Sequence, residues 1–280
     1  MKIEKTSQAI GILDSGVGGL TVVKEVMRQL PQEKIFYFGD RKRCPYGPRP
    51  PKEVLQFTQE IVDFLTKFSL KALIIACNTA TAVALEQIQK EVEIPVLGVI
   101  APGARAALRE SLQKRIGVIG TEGTIQSRAY EKELKRLEPS AFVISHACPS
   151  LVPLVESGIK SRKMALEEVR RSLSPLKRYK LDTLILGCTH YPLLADLIQQ
   201  VMGDDVNLIN SAEETARELG EILQTNFSSI GNKQLDPPCH HFFTSGKAED
   251  FQLLAEKWLG QKVSVKQINL DDPSKNTYIQ

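Results

Sequence analysis

Short apolar runs alternate along the chain with segments in which apolar residues recur every three to four positions. Four runs in the first hundred residues have the length and continuity of parallel strands buried on both faces. They are AIGIL (9–13), KIFYFGD (34–40), ALIIAC (72–77) and EIPVLGVI (93–100). The first segment between them places Leu20, Val23 and Val26 on one helical face. This alternation predicts a mainly parallel sheet covered by helices.

The second half of the chain repeats this pattern of apolar runs and helical segments. RIGVIGTEGT (115–124) matches AIGILDSGVG, and DTLILGCTHYP (182–192) matches ALIIACNTATA (72–82). The offsets, 106 from Ile10 to Ile116 and 111 from Cys77 to Cys188, are close enough to suggest a duplicated half. We therefore expect two similar open, mainly parallel α/β domains related by pseudo-symmetry, with the active site between them.

A strand and a helix follow over 206–223, where Ser211 and Glu214 have the spacing of a capping box. A further strand is expected at 240–246 and a helix around Trp258. Residues 271–280 offer little to bury, which is typical of a tail.

Each half ends a buried strand at a cysteine, Cys77 or Cys188. Ligands of open α/β sheets bind beyond the carboxyl ends of the strands, so both thiols are expected at a binding site. The alternative is that each is an ordinary buried structural cysteine. Inverting a carbon that carries an acidic proton needs a base on one face and an acid on the other. Two thiols can exchange these roles near neutral pH.

Neighbouring polar residues could assist the thiols. Asp14, His190 and Glu156 are candidates for tuning proton transfer, although Asp14 could instead cap a helix. The expected contacts to substrate come from strand ends and from the PYG loop, which could also be a simple turn. These candidates are Asp14, Ser15, Tyr46, Gly47, Asn78, Thr79, Thr189 and His190.

Composition narrows the function classes. With 42% hydrophobic and 25% charged residues, the chain has the balance of a soluble globular protein. A net charge of +3 without a basic stripe argues against nucleic-acid binding. No run has the length of a membrane span, and the first eleven residues have no signal-peptide core. Five scattered cysteines favour a reducing cytoplasm over a disulfide framework.

No cofactor or metal is expected. DSGVGG (14–19) is neither a Walker loop nor a dinucleotide fingerprint. His146 with Cys148, and the triplet 239–241, lack the spacing of zinc ligands.

Six separated blocks together resemble the glutamate racemases, bacterial enzymes that work without a cofactor and supply D-glutamate for peptidoglycan. The resemblance covers about residues 9–223. The blocks are LDSGVGGLTV, GDRKRCPYGPRP, IIACNTATA, IGVIGTEGT, LVESG and LILGCTHYPLL. Arg41 departs from the pattern, standing where a threonine is common, and NSA (210–212) replaces a usual DSG or DSA. The short lead before Ile10 resembles members that lack the N-terminal extension associated with activation by a cell-wall precursor.

The resemblance implies one domain from 1–98 with 208–280, a second from 99–207, and a homodimer. It also implies that Cys77 handles the proton of D-glutamate and Cys188 that of L-glutamate, with Glu156 as an auxiliary acid. An aspartate racemase or a related amino-acid racemase is the nearest alternative, but its second block usually reads Cys-Thr-Glu, whereas this chain has Cys-Thr-His. A two-lobed protein that binds an anion without turnover is the alternative from another class.

Overall fold

The protein is described here by a computed structural model, which covers residues 8–227 and 238–271. The lead 1–7 and residues 272–280 of the expected tail lie outside the described residues. Within these ranges, no helix is both long enough and apolar enough to cross a bilayer.

Strands and helices alternate over the first part of the chain, except that two helices lie between the fifth and sixth strands. In chain order they are β1 (Ala9–Asp14), α1 (Leu20–Gln29), β2 (Ile35–Gly39), α2 (Pro51–Leu65), β3 (Leu70–Ile75), α3 (Asn78–Glu91), β4 (Val96–Gly98), α4 (Ile100–Glu110), β5 (Arg115–Gly120), α5 (Glu122–Ser127), α6 (Ala129–Leu137) and β6 (Phe142–Ala147). The remainder is α7 (Leu151–Glu156), α8 (Arg162–Leu173), β7 (Thr183–Gly187), α9 (Ala195–Met202), β8 (Asn207–Ile209), α10 (Ser211–Phe227), β9 (His241–Thr244), α11 (Ala248–Leu259) and β10 (Val265–Gln267), with 3₁₀ turns at Ser174–Tyr179 and Tyr191–Leu194.

Two wholly parallel sheets form the frame. The first has the strand order β10-β9-β2-β1-β3-β4 and the second has the order β6-β5-β7-β8. The run β2-β1-β3-β4 and the run β6-β5-β7-β8 follow the same path, second, first, third and fourth strand of each half. The expected pair of similar α/β units is confirmed, and β9 and β10 extend the first unit only.

Apolar side chains cover both faces of each sheet. Helices α1, α10 and α11 pack on one face of the first sheet, and α2 and α3 pack on the other. In the second unit, α8 and α9 cover one face and α4 and α6 the other. Helix α10 contacts both α1 and α4, so it joins the two units.

Some local features differ from the sequence-based expectations or add to them. Helix α2 begins at Pro51, because proline at the first helical position needs no N–H partner. The expected Ser211 capping box is wrong: Asn210 Oδ1 accepts the Ala212 N–H at 3.1 Å, while Glu214 pairs with Arg109 and Arg217. Strand β10 was not anticipated, since its residues are largely exposed.

Candidate active site

Both candidate cysteines lie at the carboxyl ends of equivalent strands. Cys77 follows β3 and Cys188 follows β7, and each side chain is almost wholly buried as a free thiol. They line the same cavity. Its other lining residues come from the two units: Ser15, Pro45, Tyr46, Gly47, Asn78, Thr79, Thr121, Val152, Gly187, Thr189 and His190.

The cavity has a volume of about 20 Å³, which is enough for about one water molecule. An amino acid needs more room, so the structure represents a closed form that must open to admit a ligand. A larger cleft of about 820 Å³ lies between α1, α4, β8 and α10. Neither thiol lines this cleft, whereas both line the smaller cavity. We therefore place the chemistry at the smaller cavity.

Asp14 ends β1 and links the two units. Its Oδ2 accepts the Gly16 N–H at 3.0 Å, and its Oδ1 accepts the Thr189 hydroxyl at 3.2 Å. Asp14 is not itself the N-cap residue of α1, which is Gly19, but its carboxylate also accepts a hydrogen bond from the Gly19 N–H at the start of that helix. Burial raises the pKa of Asp14, although the nearby charge of His190 and the hydrogen bonds oppose this rise.

The PYG loop reaches the cavity through Tyr46 and Gly47. We expected the Tyr46 phenol to face a ligand, but it donates to the buried Asp40 carboxylate instead. Asp40 also accepts Arg43 Nε at 2.6 Å and the Ser245 hydroxyl at 2.5 Å. These contacts fix the loop and hold the Tyr46 hydroxyl on Asp40.

The first turn of α3 supplies Asn78 and Thr79, which touch the second unit. Asn78 Oδ1 accepts the Tyr130 hydroxyl at 2.7 Å. Thr79 Oγ1 lies 2.8 Å from Thr121 Oγ1 and 3.1 Å from Thr124 Oγ1. This cluster of three hydroxyls bridges the units at the edge of the cavity.

His190 connects Cys188 to Glu156. Its Nδ1 lies 3.8 Å from Cys188 Sγ, and its Nε2 lies 2.7 Å from Glu156 Oε1. Burial alone would lower the pKa of His190, but the hydrogen bonds and charges of Cys188 and Glu156 raise it to about 10. The geometry thus places the His190 ring between a carboxylate and one thiol, and its raised pKa favours the imidazolium form.

Cys77 has the opposite electrostatic setting. Burial, and after it the negative charge of Asp14, raise the pKa of Cys77 to about 12. At neutral pH it is therefore a thiol, able to give a proton.

Sequence reasoning missed four lining residues, Thr121, Pro45, Val152 and Gly187. A signal for Thr121 was present, because adding the offset of 106 to Ser15 gives 121. Thr121 is therefore the second-unit equivalent of Ser15, at the end of β5. Pro45 and Val152 carry no comparable mark, since apolar residues of their kind occur throughout the chain.

Two of the predicted residues lie behind the cavity lining. Asp14 contacts the lining residue Thr189, and Glu156 contacts the lining residue His190. Across residues 8–227 and 238–271, no three side chains of His, Cys, Asp or Glu come together in a way that could hold a metal ion.

Comparison with known proteins now bears on this site. Residues 10–219 match the family model described as Asp/Glu/hydantoin racemase. The chain belongs to this racemase family. It is 53% identical to a glutamate racemase of Bacillus cereus over 95% of this chain and 99% of that protein.

Solved structures agree. A glutamate racemase isoform of Bacillus anthracis superposes with a TM-score of 0.91 at 51% identity, covering 96% of this chain and 99% of that one. The glutamate racemase of Francisella tularensis, crystallised with D-glutamate, gives a TM-score of 0.87 at 33% identity, covering 95% and 99%. The resemblance to glutamate racemases seen in the sequence is confirmed, the chain is an isomerase of that kind, and neither alternative function is favoured.

Proposed function

We propose that the chain interconverts L- and D-glutamate by passing the α-proton between Cys188 and Cys77. The observation that carries this proposal is that both thiols, from equivalent strand ends of two similar units, line one cavity. A substrate held in that cavity would have one sulfur on each face of its α-carbon.

Each turnover consists of two proton transfers. The Cys188 thiolate, beside the His190 imidazolium, takes the α-proton of L-glutamate and becomes a thiol. The Cys77 thiol then gives its proton to the opposite face of the carbanion, which yields D-glutamate and a Cys77 thiolate. Before the next turnover in this direction, proton exchange with solvent returns Cys77 to the thiol and Cys188 to the thiolate. The same steps in reverse convert D-glutamate to L-glutamate.

Substrate contacts are proposed on both units. Ser15, Asn78, Thr79 and Thr189 offer hydroxyl and amide groups at the cavity, and Gly47 offers its backbone. The N-terminus of α3, which begins at Asn78, adds backbone N–H groups suited to a carboxylate. Tyr46 contributes its ring, and Asp14 and Glu156 support proton transfer from behind the lining.

The test is circular dichroism of each pure glutamate enantiomer incubated with the enzyme, with both aspartate enantiomers alongside. Cys77→Ser and Cys188→Ser should each lower kcat at least about 100-fold, because a hydroxyl is a far weaker base than a thiolate. Cys148→Ser and Cys239→Ser are matched controls, since both thiols lie outside the cavity. A comparable loss in either control would show that the wrong thiols were chosen.

Solvent exchange tests the two-thiol route separately. In D₂O the product should carry deuterium at the α-carbon, because different thiols act on opposite faces. Retention of the original proton in the product would contradict two bases. The thiols supply both acid and base, so the proposal needs no metal or pyridoxal phosphate, and loss of activity on dialysis against EDTA would contradict that part.

The wider setting is also a proposal. D-glutamate made here would serve peptidoglycan synthesis, and five free thiols favour a cytoplasmic location. Two domains, 1–98 with 208–280 and 99–207, agree with the two sheets except that β8 continues to Ile209. A homodimer stays a prediction, to be measured by sedimentation.

A further inference from the structure

Arg41, where the sequence departs from the usual threonine, makes an ion pair between the two units. It lies two residues beyond β2 of the first sheet. Its Nη1 is 2.7 Å from Oε2 of Glu156, the last residue of α7 in the second unit. The pair is well shielded, with 25% of the Arg41 side chain and 20% of the Glu156 side chain exposed. It therefore differs from surface pairs, which contribute little.

The same carboxylate serves a second partner. While Oε2 of Glu156 meets Arg41, its Oε1 meets His190 Nε2 at 2.7 Å. His190 in turn presents Nδ1 to Cys188 at 3.8 Å. A continuous chain of polar contacts thus runs from the first sheet to the thiol that follows a strand of the second.

The fold makes room for this contact. A Cβ atom added at Gly246 would lie 2.9 Å from Arg41 Cβ, so a larger residue there would displace the arginine. A positive charge near the end of β2 does not by itself lead to a contact with Glu156. The Nζ of the adjacent Lys42 instead pairs with Asp271 at 2.5 Å, and both of these side chains are more than half exposed.

We propose that Arg41 is a positioning residue, which fixes Glu156 when the units close and so orients His190 for proton transfer at Cys188. This rests on the proposed two-thiol function. Opening of the cavity to admit substrate would separate Arg41 from Glu156, and closure would restore the contact. Arg41 would thereby make the proton chemistry at one thiol depend on closure.

Replacing Arg41 should therefore slow proton transfer at Cys188 more than proton transfer at Cys77. Arg41→Gln should lower kcat/KM about 10-fold, the size expected for losing a hydrogen bond to a charged group. Since the two enantiomers have equal free energies, kcat/KM must fall equally in both directions. The asymmetry appears instead in the primary isotope effect. It should rise with α-deuterated L-glutamate, whose proton goes to Cys188, and fall with α-deuterated D-glutamate, whose proton goes to Cys77.

The experiment compares both isotope effects in wild type, Arg41→Gln, Arg41→Lys and the matched control Lys42→Gln. Wild-type racemisation is measured first, so failure of the function itself would be seen there. Arg41→Lys should recover part of the activity, and Lys42→Gln should behave as wild type. Equal changes in the two isotope effects would overturn the proposal, because a merely structural role would affect both thiols alike.

A double-mutant cycle tests the route through Glu156. In a Glu156→Gln background, the further change Arg41→Gln should have little additional effect on kcat/KM. Independent, multiplicative losses would overturn the proposed route, since they would mean that Arg41 acts without Glu156.

Discussion

Replacing Thr121 with valine should weaken both substrate binding and the closed form. Its hydroxyl belongs to the cluster of three hydroxyls that bridges the two units. Oγ1 of Thr121 lies 2.8 Å from that of Thr79 and 3.1 Å from that of Thr124. It also accepts the Thr124 N–H at 3.3 Å, which caps α5. Valine keeps the shape of threonine and removes every one of these contacts.

The cost to stability can be worked from those contacts. Losing the helix cap costs about 1 kcal/mol. Losing the hydroxyl contact with Thr79 costs about another 1 kcal/mol. Thr79 and Thr124 keep their mutual contact at 3.1 Å, so neither hydroxyl is left without a partner. The free energy of unfolding should therefore fall by about 2 kcal/mol, which urea unfolding can measure.

The effect on catalysis should be of similar size. Thr121 lines the cavity in the position equivalent to Ser15, where it can donate to a substrate carboxylate. A hydrogen bond to a charged group contributes about 1.5–3 kcal/mol, so kcat/KM should fall roughly 10- to 150-fold. Thr121→Ser keeps the hydroxyl and should stay near wild type. If Thr121→Val retains full activity, or if Thr121→Ser loses as much, the assigned role of the hydroxyl is wrong.

Two further changes test the site. The contacts of His190 with Cys188 and Glu156 raise its pKa from 6.5 to about 10, so its stabilising effect is fully present below pH 6.5 and lost as the pH rises through about 10. The difference in urea midpoint between wild type and His190→Asn should shrink over that window, and a constant or growing difference would contradict the ion pairing. Gly47→Ala would place a Cβ 2.5 Å from Thr121 Cβ, so the loop must retreat and kcat/KM should fall at least about 10-fold, whereas unchanged kinetics would show that the loop tolerates displacement.

Much of the fold could be predicted because buried parallel strands leave continuous apolar runs. The strand that ends at Asp14 and the strands that end just before Cys77 and Cys188 were all found, since each is buried on both faces. Strand β10 was missed because an exposed edge strand has no such run. Its pairing with β9 is a tertiary contact that local periodicity does not encode.

The candidate site could likewise be predicted only in part. Residues at strand ends could be identified, because parallel topology brings all carboxyl ends to one edge. Partner choices could not, because they depend on side chains that meet only after folding. The Tyr46 hydroxyl turns to Asp40 rather than to the cavity, and Asn78 is held by Tyr130 from the other unit. Neither contact can be predicted from the spacing of residues along the sequence.

The duplicated halves agree in topology but differ in charge where racemisation requires it. Adding 106 to Asp14 gives Gly120, and adding 111 to Thr79 gives His190. The first unit therefore has a carboxylate where the second has none, and the second has an imidazole where the first has a hydroxyl.

This divergence bears on which thiol holds the proton. Two identical thiols in identical settings would hold a shared proton equally well, so neither would be favoured as the acid. Burial and the charge of Asp14 keep the proton on Cys77, while the imidazolium of His190 stands beside Cys188. Equivalent strand ends supply the symmetry that both enantiomers need. The unequal neighbours favour the proton on Cys77. The contact of Arg41 with Glu156 makes the surroundings of Cys188 depend on closure.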